Sequence, residues 1–271
     1  MRRAAIIIPA RYHSTRLPGK PLEKIAGKTM LARVCDIAKK AADIVDGAEI
    51  LVATEDKRIA EHAESCGVRG VLTSSRCKTG SDRALEAIAH LEEKPDFIVN
   101  LQGDAPLTPP DFVAAVLTEF YSNPDLEVVT PVTQLDWDAL DLLRRHKQDT
   151  PLSGTTAIIG KSNEALWFSK NIIPAIRDEE EMRKNKKLSP VFRHIGIYGF
   201  RSDILKRFVR LPQSRYEILE GLEQLRMLEN NISIRAVPVD YKGRPAMSGI
   251  DSPEDILRAE ELLKQYGEIA A

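Results

Sequence analysis

Ala5-Ile6-Ile7-Ile8-Pro9-Ala10-Arg11-Tyr12-His13-Ser14-Thr15-Arg16-Leu17-Pro18-Gly19-Lys20-Pro21 is the passage that decides the fold class. Its opening is a continuous apolar run rich in β-branched residues, the pattern of a strand buried on both faces in a parallel sheet. The loop that follows carries Arg11, Arg16 and Lys20. Loops at the carboxyl ends of parallel strands are where α/β sheets bind ligands. Two guanidinium forks, one ammonium and the loop amides suit a polyphosphate. The passage is not a P-loop, because Gly19-Lys20 is followed by Pro21 rather than Ser or Thr, and it is not a GxGxxG turn. The plain alternative is a solvated basic loop.

Outward from this run, strand and helix patterns alternate. Strands are expected at 49–53, 69–72 and 97–101, and helices at 30–41, 56–66, 81–91 and 109–120. That alternation means βαβ units and a mainly parallel sheet flanked by helices. The second half reads less regularly. Strands are expected at 128–132, 155–159, 165–168, 194–200 and 232–239, and helices at 136–146, 215–229 and 252–266. In the 215–229 helix, Ile218, Leu222 and Leu225 would line one side. The charge-dense segment 178–187 has no core face and is expected to be an exposed loop. No repeat or linker divides the chain, so residues 1–271 read as one domain with a smaller lobe within about 133–215.

The chain has 271 residues, with 39 Lys+Arg against 40 Asp+Glu and a formal net charge of −1. A coat for nucleic acid needs a strong basic excess, so none is expected, and any anion must be held by a local cluster. No apolar run approaches the ~20 residues that span a bilayer, so no membrane partner is expected. The apolar start leads into a basic loop rather than a small-residue cleavage site, which predicts no signal peptide. Cys35, Cys66 and Cys77 form no CxxC pair. They are expected to be structural thiols in a reducing cytoplasm.

Two carboxylates stand out. Asp104 closes Asn100-Leu101-Gln102-Gly103-Asp104, at the carboxyl end of an expected strand and beside a glycine that admits close approach. Asp251 precedes Ser252-Pro253-Glu254-Asp255, a helix start with Ser252 as N-cap. Mg²⁺ takes one or two carboxylates plus substrate phosphates, and these two could be the pair. Their plain readings are a turn aspartate and an ordinary helix start. His13, His62, His90 and His146 show no spacing for a metal or a triad, and Trp137 and Trp167 read as packing residues.

The run from Ile8 to Leu22 resembles the nucleotide-binding loop of the 3-deoxy-manno-octulosonate (Kdo) cytidylyltransferases. The resemblance continues through Val52-Ala53-Thr54, Thr79-Gly80-Ser81-Asp82-Arg83, the Gln102-Gly103-Asp104 turn and Ala165-Leu166-Trp167-Phe168-Ser169. It resumes at Arg193-His194-Ile195-Gly196-Ile197-Tyr198-Gly199-Phe200, Leu222-Glu223-Gln224-Leu225-Arg226 and Gly249-Ile250-Asp251-Ser252-Pro253-Glu254-Asp255. It implies a Rossmann-like nucleotidyltransferase fold and Mg²⁺-dependent transfer of CMP from CTP to Kdo, releasing pyrophosphate, for lipopolysaccharide or capsule biosynthesis. It implies Arg11 and Lys20 on the triphosphate with Arg16 assisting, and Ala10, Thr79, Gly80 and Arg83 near the nucleotide. By the same resemblance Asp104 and Asp251 bind the metal, and Gln102, His194, Tyr198, Glu223 and Gln224 line the sugar pocket. A homodimer formed largely by the second-half lobe is implied as well. Ala105, Lys170 and Thr155 or Thr156 depart from the family pattern, and the segment 241–247 is longer than the pattern has. The alternatives are the same transfer to another acidic sugar, 8-amino-Kdo or a sialic-acid-like ulosonate, and a non-catalytic nucleotide-binding regulator.

Overall fold

The computed structural model describes residues 2–13, 17–247 and 249–270. Strand β1 (Ala4–Pro9) is followed by the basic loop and a small hairpin, β2 (Lys24–Ile25) and β3 (Lys28–Thr29). Then come α1 (Met30–Ile44), β4 (Glu49–Thr54), α2 (Lys57–Ser65), β5 (Arg69–Leu72), α3 (Gly80–Ile88), β6 (Phe97–Asn100) and α4 (Pro110–Ser122). The second half adds β7 (Val128–Asp136), α5 (Trp137–Asp149), β8 (Thr156–Ile159), β9 (Ala165–Ser169), α6 (Glu179–Asn185), β10 (Leu188–His194) and β11 (Tyr198–Arg201). It ends with α7 (Ser202–Phe208), α8 (Arg215–Glu220), α9 (Glu223–Glu229), β12 (Ile234–Pro238) and α10 (Pro253–Tyr266).

One sheet holds the order β5-β4-β1-β6-β11-β7-β10-β8-β9, with β12 also on β7. The expected parallel unit is present: β4, β1, β6 and β5 pair in parallel around β1. Ile6, Ile7 and Ile8 have no exposed surface. Ile6 and Ile8 pack with Val52 and Val99 toward α1 and α4, and Ile7 packs with Leu51, Ile98 and Ala84 toward α3. Burying each such side chain contributes roughly 1.5–3 kcal/mol, which is why this run is the sheet's centre. Helix starts follow local chemistry: Thr29 caps α1, Asp56 caps α2 and Asp136 caps α5, while Thr79–Asp82 and Ser252–Asp255 form capping boxes on α3 and α10.

Three expectations are corrected. The single helix at 215–229 is two, α8 and α9, because Gly221 adopts a left-handed conformation (φ 62°) that ends α8. The apolar side therefore splits: Leu222 and Leu225 are buried, whereas Ile218 is 66% exposed. The strand expected at 194–200 is the end of β10 and most of β11. Between them the chain crosses from one side of β7 to the other, so His194 pairs with Val132 and Gly199 with Val129. Strand β12 fills the side thus vacated, in parallel with Val128–Val132. The loop expected at 178–187 contains α6, with no buried residue. Its helix is held by ion pairs instead: Glu179 accepts from Arg144 at 2.7 Å through both oxygens and from Arg183 at 2.7 Å, and Arg183 also reaches Asp141 at 2.6 Å. Charge density there encodes a salt-bridged helix rather than a solvated loop.

Candidate active site

The carboxyl ends of β1 and β6 bring the distant motifs together. Lys20 lies in a short helical turn just after Gly19. Its Nζ donates to Asp104 Oδ2 at 2.7 Å, to the Ile250 carbonyl at 2.9 Å and to Asp251 Oδ1 at 3.1 Å. Burial acts to lower the Lys20 pKa, but the charge of and hydrogen bond to Asp104, with those to Asp251, outweigh it and raise it. Two glycines make the approach possible. A Cβ at Gly103 would stand 2.6 Å from the Pro9 carbonyl, so the turn carrying Asp104 can close on the end of β1 only without a side chain. A Cβ at Gly249 would crowd Asp104 Oδ1 at 3.1 Å, while Ile250 N–H donates to the Asp104 carbonyl at 2.8 Å. The Asp251 loop is thereby fastened to the Asp104 turn by backbone as well as by Lys20.

An ammonium between two carboxylates is what a cation site offers in this fold. Mg²⁺ takes few protein oxygens and completes an octahedron with phosphate and water, so the Asp104 and Asp251 donor set fits it. Among the described residues no three His, Cys, Asp or Glu side chains converge for a metal.

The other nucleotide candidates divide. Arg11 Nη2 donates to the Lys78 carbonyl, just before the α3 N-terminus. Ala10 is buried, with its N–H on the Ala53 carbonyl at 2.9 Å. The Thr79 hydroxyl belongs to the capping box and Gly80 is the first residue of α3. Arg83 is 1% exposed: Nη1 donates to Thr73 Oγ1 at 2.6 Å, and Nη2 lies 2.8 Å from Glu55 Oε2. Through Glu55, which also accepts the Tyr12 backbone N–H, it is linked to the basic loop. Arg16 lies outside the described residues.

Beside this end, Tyr198 pairs with Asn100 across β11 and β6, so the second cluster adjoins the Gln102–Asp104 turn. Gln102 is half-buried in that turn. The His194 ring lies 5.3 Å from the Tyr198 ring and 5.1 Å from that of Phe168. Glu223 accepts from Ser81 at 3.3 Å and from Arg226 at 3.0 Å, joining α9 to α3. Burial raises the Glu223 pKa, and burial with the charge of Glu223 raises that of Tyr198. Gln224 is buried with Nε2 unpartnered, and Asn100 is buried with Oδ1 unpartnered. Buried polar atoms without a partner among the described residues call for water or a ligand to complete their hydrogen bonding.

His194 carries a definite proton assignment. Thr130 Oγ1 lies 2.7 Å from the Ile197 carbonyl and 2.9 Å from His194 Nε2. The single Thr130 hydroxyl proton goes to the carbonyl, so Nε2–H donates to Thr130 and Nδ1 is left as an acceptor. Burial, helped by the charge of Lys170, pushes the His194 pKa down to about 3. The folded state therefore binds no proton at His194 where the unfolded chain does, and stability falls as pH drops from about 6.5 toward 3. The His194→Gln variant is expected to lose less stability than the parent between pH 7 and pH 4.5 in denaturant titrations; equal losses would contradict this.

Sequence reasoning missed Glu55 and Lys147. Lys147 Nζ donates to the carbonyls of Pro151 at 3.2 Å and Gly154 at 3.1 Å and to that of Lys170, so it braces the end of β9. Neither residue sits in a recognisable motif, and only the tertiary fold brings their partners near.

A family model described as Cytidylyltransferase matches residues 5–234. The chain is 42% identical over 263 residues to the 3-deoxy-manno-octulosonate cytidylyltransferase of Maricaulis maris, covering 97% of this chain and 98% of that one. It belongs to the 3-deoxy-manno-octulosonate cytidylyltransferase family. The enzyme of that description from Zea mays is 36% identical over 97% of this chain and 81% of its own. A solved CMP:2-keto-3-deoxy-manno-octonic acid synthetase complexed with CTP superposes on this cytidylyltransferase with a TM-score of 0.81 at 33% identity, over 97% and 99% of the two chains. The protein is therefore a nucleotidyltransferase with the α/β fold of that synthetase.

Proposed function

We propose that this enzyme transfers CMP from CTP to the anomeric hydroxyl of Kdo and releases pyrophosphate. The observation that carries the reading is Lys20 bridging Asp104 and Asp251 at the end of β1. The relatives' shared activity supports Kdo over 8-amino-Kdo or a sialic-acid-like ulosonate. An intact cation and carboxylate cluster speaks against a non-catalytic regulator.

The reaction is an in-line displacement at the α-phosphorus, which asks for positioning and charge neutralisation more than covalent help. Arg11 and Lys20 take the triphosphate, with Ala10, Thr79 and Gly80 along the nucleotide and Arg83 supporting the loop from below. Asp104 and Asp251 would hold Mg²⁺, which neutralises phosphate charge when bound. On the sugar side, His194 Nδ1 accepts a hydrogen bond from a sugar hydroxyl, Glu223 accepts from further hydroxyls and Gln224 Nε2 donates. Gln102 and Tyr198 wall the pocket. Lys170, half-buried close to His194, supplies positive charge where a sugar acid presents its carboxylate.

The reading extends to a homodimer. Leu166 on β9, within the second-half lobe, and Tyr216, Ile218 and Leu219 on α8, just beyond it, are exposed apolar side chains, and sedimentation of the pure protein tests whether they are covered. No helix of the described residues is long and apolar enough to cross a membrane. A cytoplasmic role in lipopolysaccharide or capsule synthesis belongs to this same reading.

Nucleotide choice provides a prediction. Pyrophosphate release with Kdo and Mg²⁺ is expected to favour CTP, with UTP second. Equal turnover with ATP or GTP would sink the reading. A panel of ulosonic acids at saturating CTP is expected to give Kdo the highest kcat/KM.

A further inference from the structure

Glu55 follows the carboxyl end of β4 and appears in none of the motifs above. Its side chain is only 12% exposed. One oxygen, Oε1, accepts the backbone N–H of Tyr12 at 3.1 Å. The other, Oε2, lies 2.8 Å from Arg83 Nη2. Arg83 rises from α3 almost wholly buried, and its guanidinium meets Thr73 Oγ1 and this carboxylate. A buried guanidinium needs an anionic partner, and a backbone N–H aimed at a carboxylate is a strong, charge-assisted bond. Glu55 thus ties the nucleotide loop to a buried charge on another element.

Tyr12 is the residue held. Its N–H goes to Glu55, and its carbonyl accepts the N–H of Gly19 at 2.9 Å. Its ring packs against Gly19, where a Cβ would lie 3.3 Å from the ring edge. The ring also lies edge-on to His13 and under the Arg58 guanidinium, 3.6 Å from its centroid, which Asp56 fixes at 3.0 and 2.6 Å. Tyr12 and Gly19 therefore close the neck of the loop. Arg11 stands just before the neck and Lys20 just after it. Whatever fixes the neck fixes the spacing of the two cations.

We infer that Glu55 is a positioning residue for the nucleotide: bridging Arg83 to the Tyr12 backbone, it holds the loop neck so that Arg11 and Lys20 meet the triphosphate together. This rests on the reading that the loop binds CTP. A preorganised loop lowers the ordering cost of binding, so losing the bridge weakens CTP and leaves the sugar acid alone.

Steady-state kinetics and calorimetric CTP titration of Glu55→Ala, Glu55→Gln and Lys20→Ala test it. Glu55→Ala is expected to raise the CTP KM and Kd by roughly 10- to 100-fold, the usual size for a lost hydrogen bond to a charged group, with the sugar-acid KM within about twofold. Glu55→Gln keeps an acceptor for Tyr12 and is expected to fall between; should the alanine variant fail to fold, the glutamine variant alone carries the test. Equal rises in both KM values would mean a merely structural role and overturn the inference. So would an unchanged CTP Kd in the Glu55 variants while Lys20→Ala binds CTP more weakly. If Lys20→Ala also leaves CTP binding unchanged, the loop does not hold the nucleotide and the inference falls with the reading beneath it.

Discussion

Asp104→Asn and Asp251→Asn are each expected to cut turnover by roughly 10²- to 10³-fold, the scale of losing one preorganised electrostatic group at a transition state. The double variant is expected to be little worse than either single one. Both carboxylates lie within 3.1 Å of one ammonium, and both would serve one metal, so losing either disables the unit. The substitutions are nearly isosteric and spare the backbone bonds that shape the site. Ile250 N–H still meets the Asp104 carbonyl, and the backbone N–H of residue 251 still meets Asp255. Unchanged far-ultraviolet dichroism with collapsed pyrophosphate release is the expected combination. Full activity in either variant, or losses that multiply, would refute a shared cluster.

Lys20→Met is expected to lower kcat/KM for CTP by roughly 10²- to 10³-fold, since a cation facing developing phosphate charge is lost. It also removes the ammonium that bridges Asp104 and Asp251. Mg²⁺ can take the place of that ammonium beside the two carboxylates, so added Mg²⁺ is expected to raise the Tm of this variant more than that of the parent, without nucleotide. In the parent, against the lowering effect of burial, the bridge to Asp104 and Asp251 raises the Lys20 pKa. Its stabilisation is fully present below pH 10.5 and is lost only as pH rises past the folded-state value. A Tm in Lys20→Met that does not respond to Mg²⁺ would remove the carboxylates from the metal role, and near-normal kinetics would leave Lys20 a structural bridge without a part in binding CTP.

The first half of the fold was legible because its signals are local. An all-apolar run means a strand buried on both faces, and Thr79, Asp82, Ser252 and Asp255 announce their helices through capping chemistry. The second half depends on what one strand does to its neighbours. The crossing of β7 between His194 and Tyr198 leaves no local trace beyond Gly196, and the break at Gly221 is hidden inside a sound helical pattern. At the site, Lys20, Asp104 and Asp251 were readable from residue type and from their places at element ends. The environment of Arg83 was not: its motif places it near the nucleotide, but only the packing of α3 under β4 puts Glu55 between it and the loop. Glu55 itself, one of two adjacent acids after a strand, carries no sequence signal that sets it apart from the capping Asp56.

Transfer of label from CTP tests the central claim most directly. With CTP labelled at the α-phosphorus, Kdo and Mg²⁺, one turnover is expected to move all the label into a CMP–sugar product and to leave the released pyrophosphate unlabelled. Label in the released phosphate, or no transfer to any ulosonic acid, would contradict cytidylyl transfer at this site.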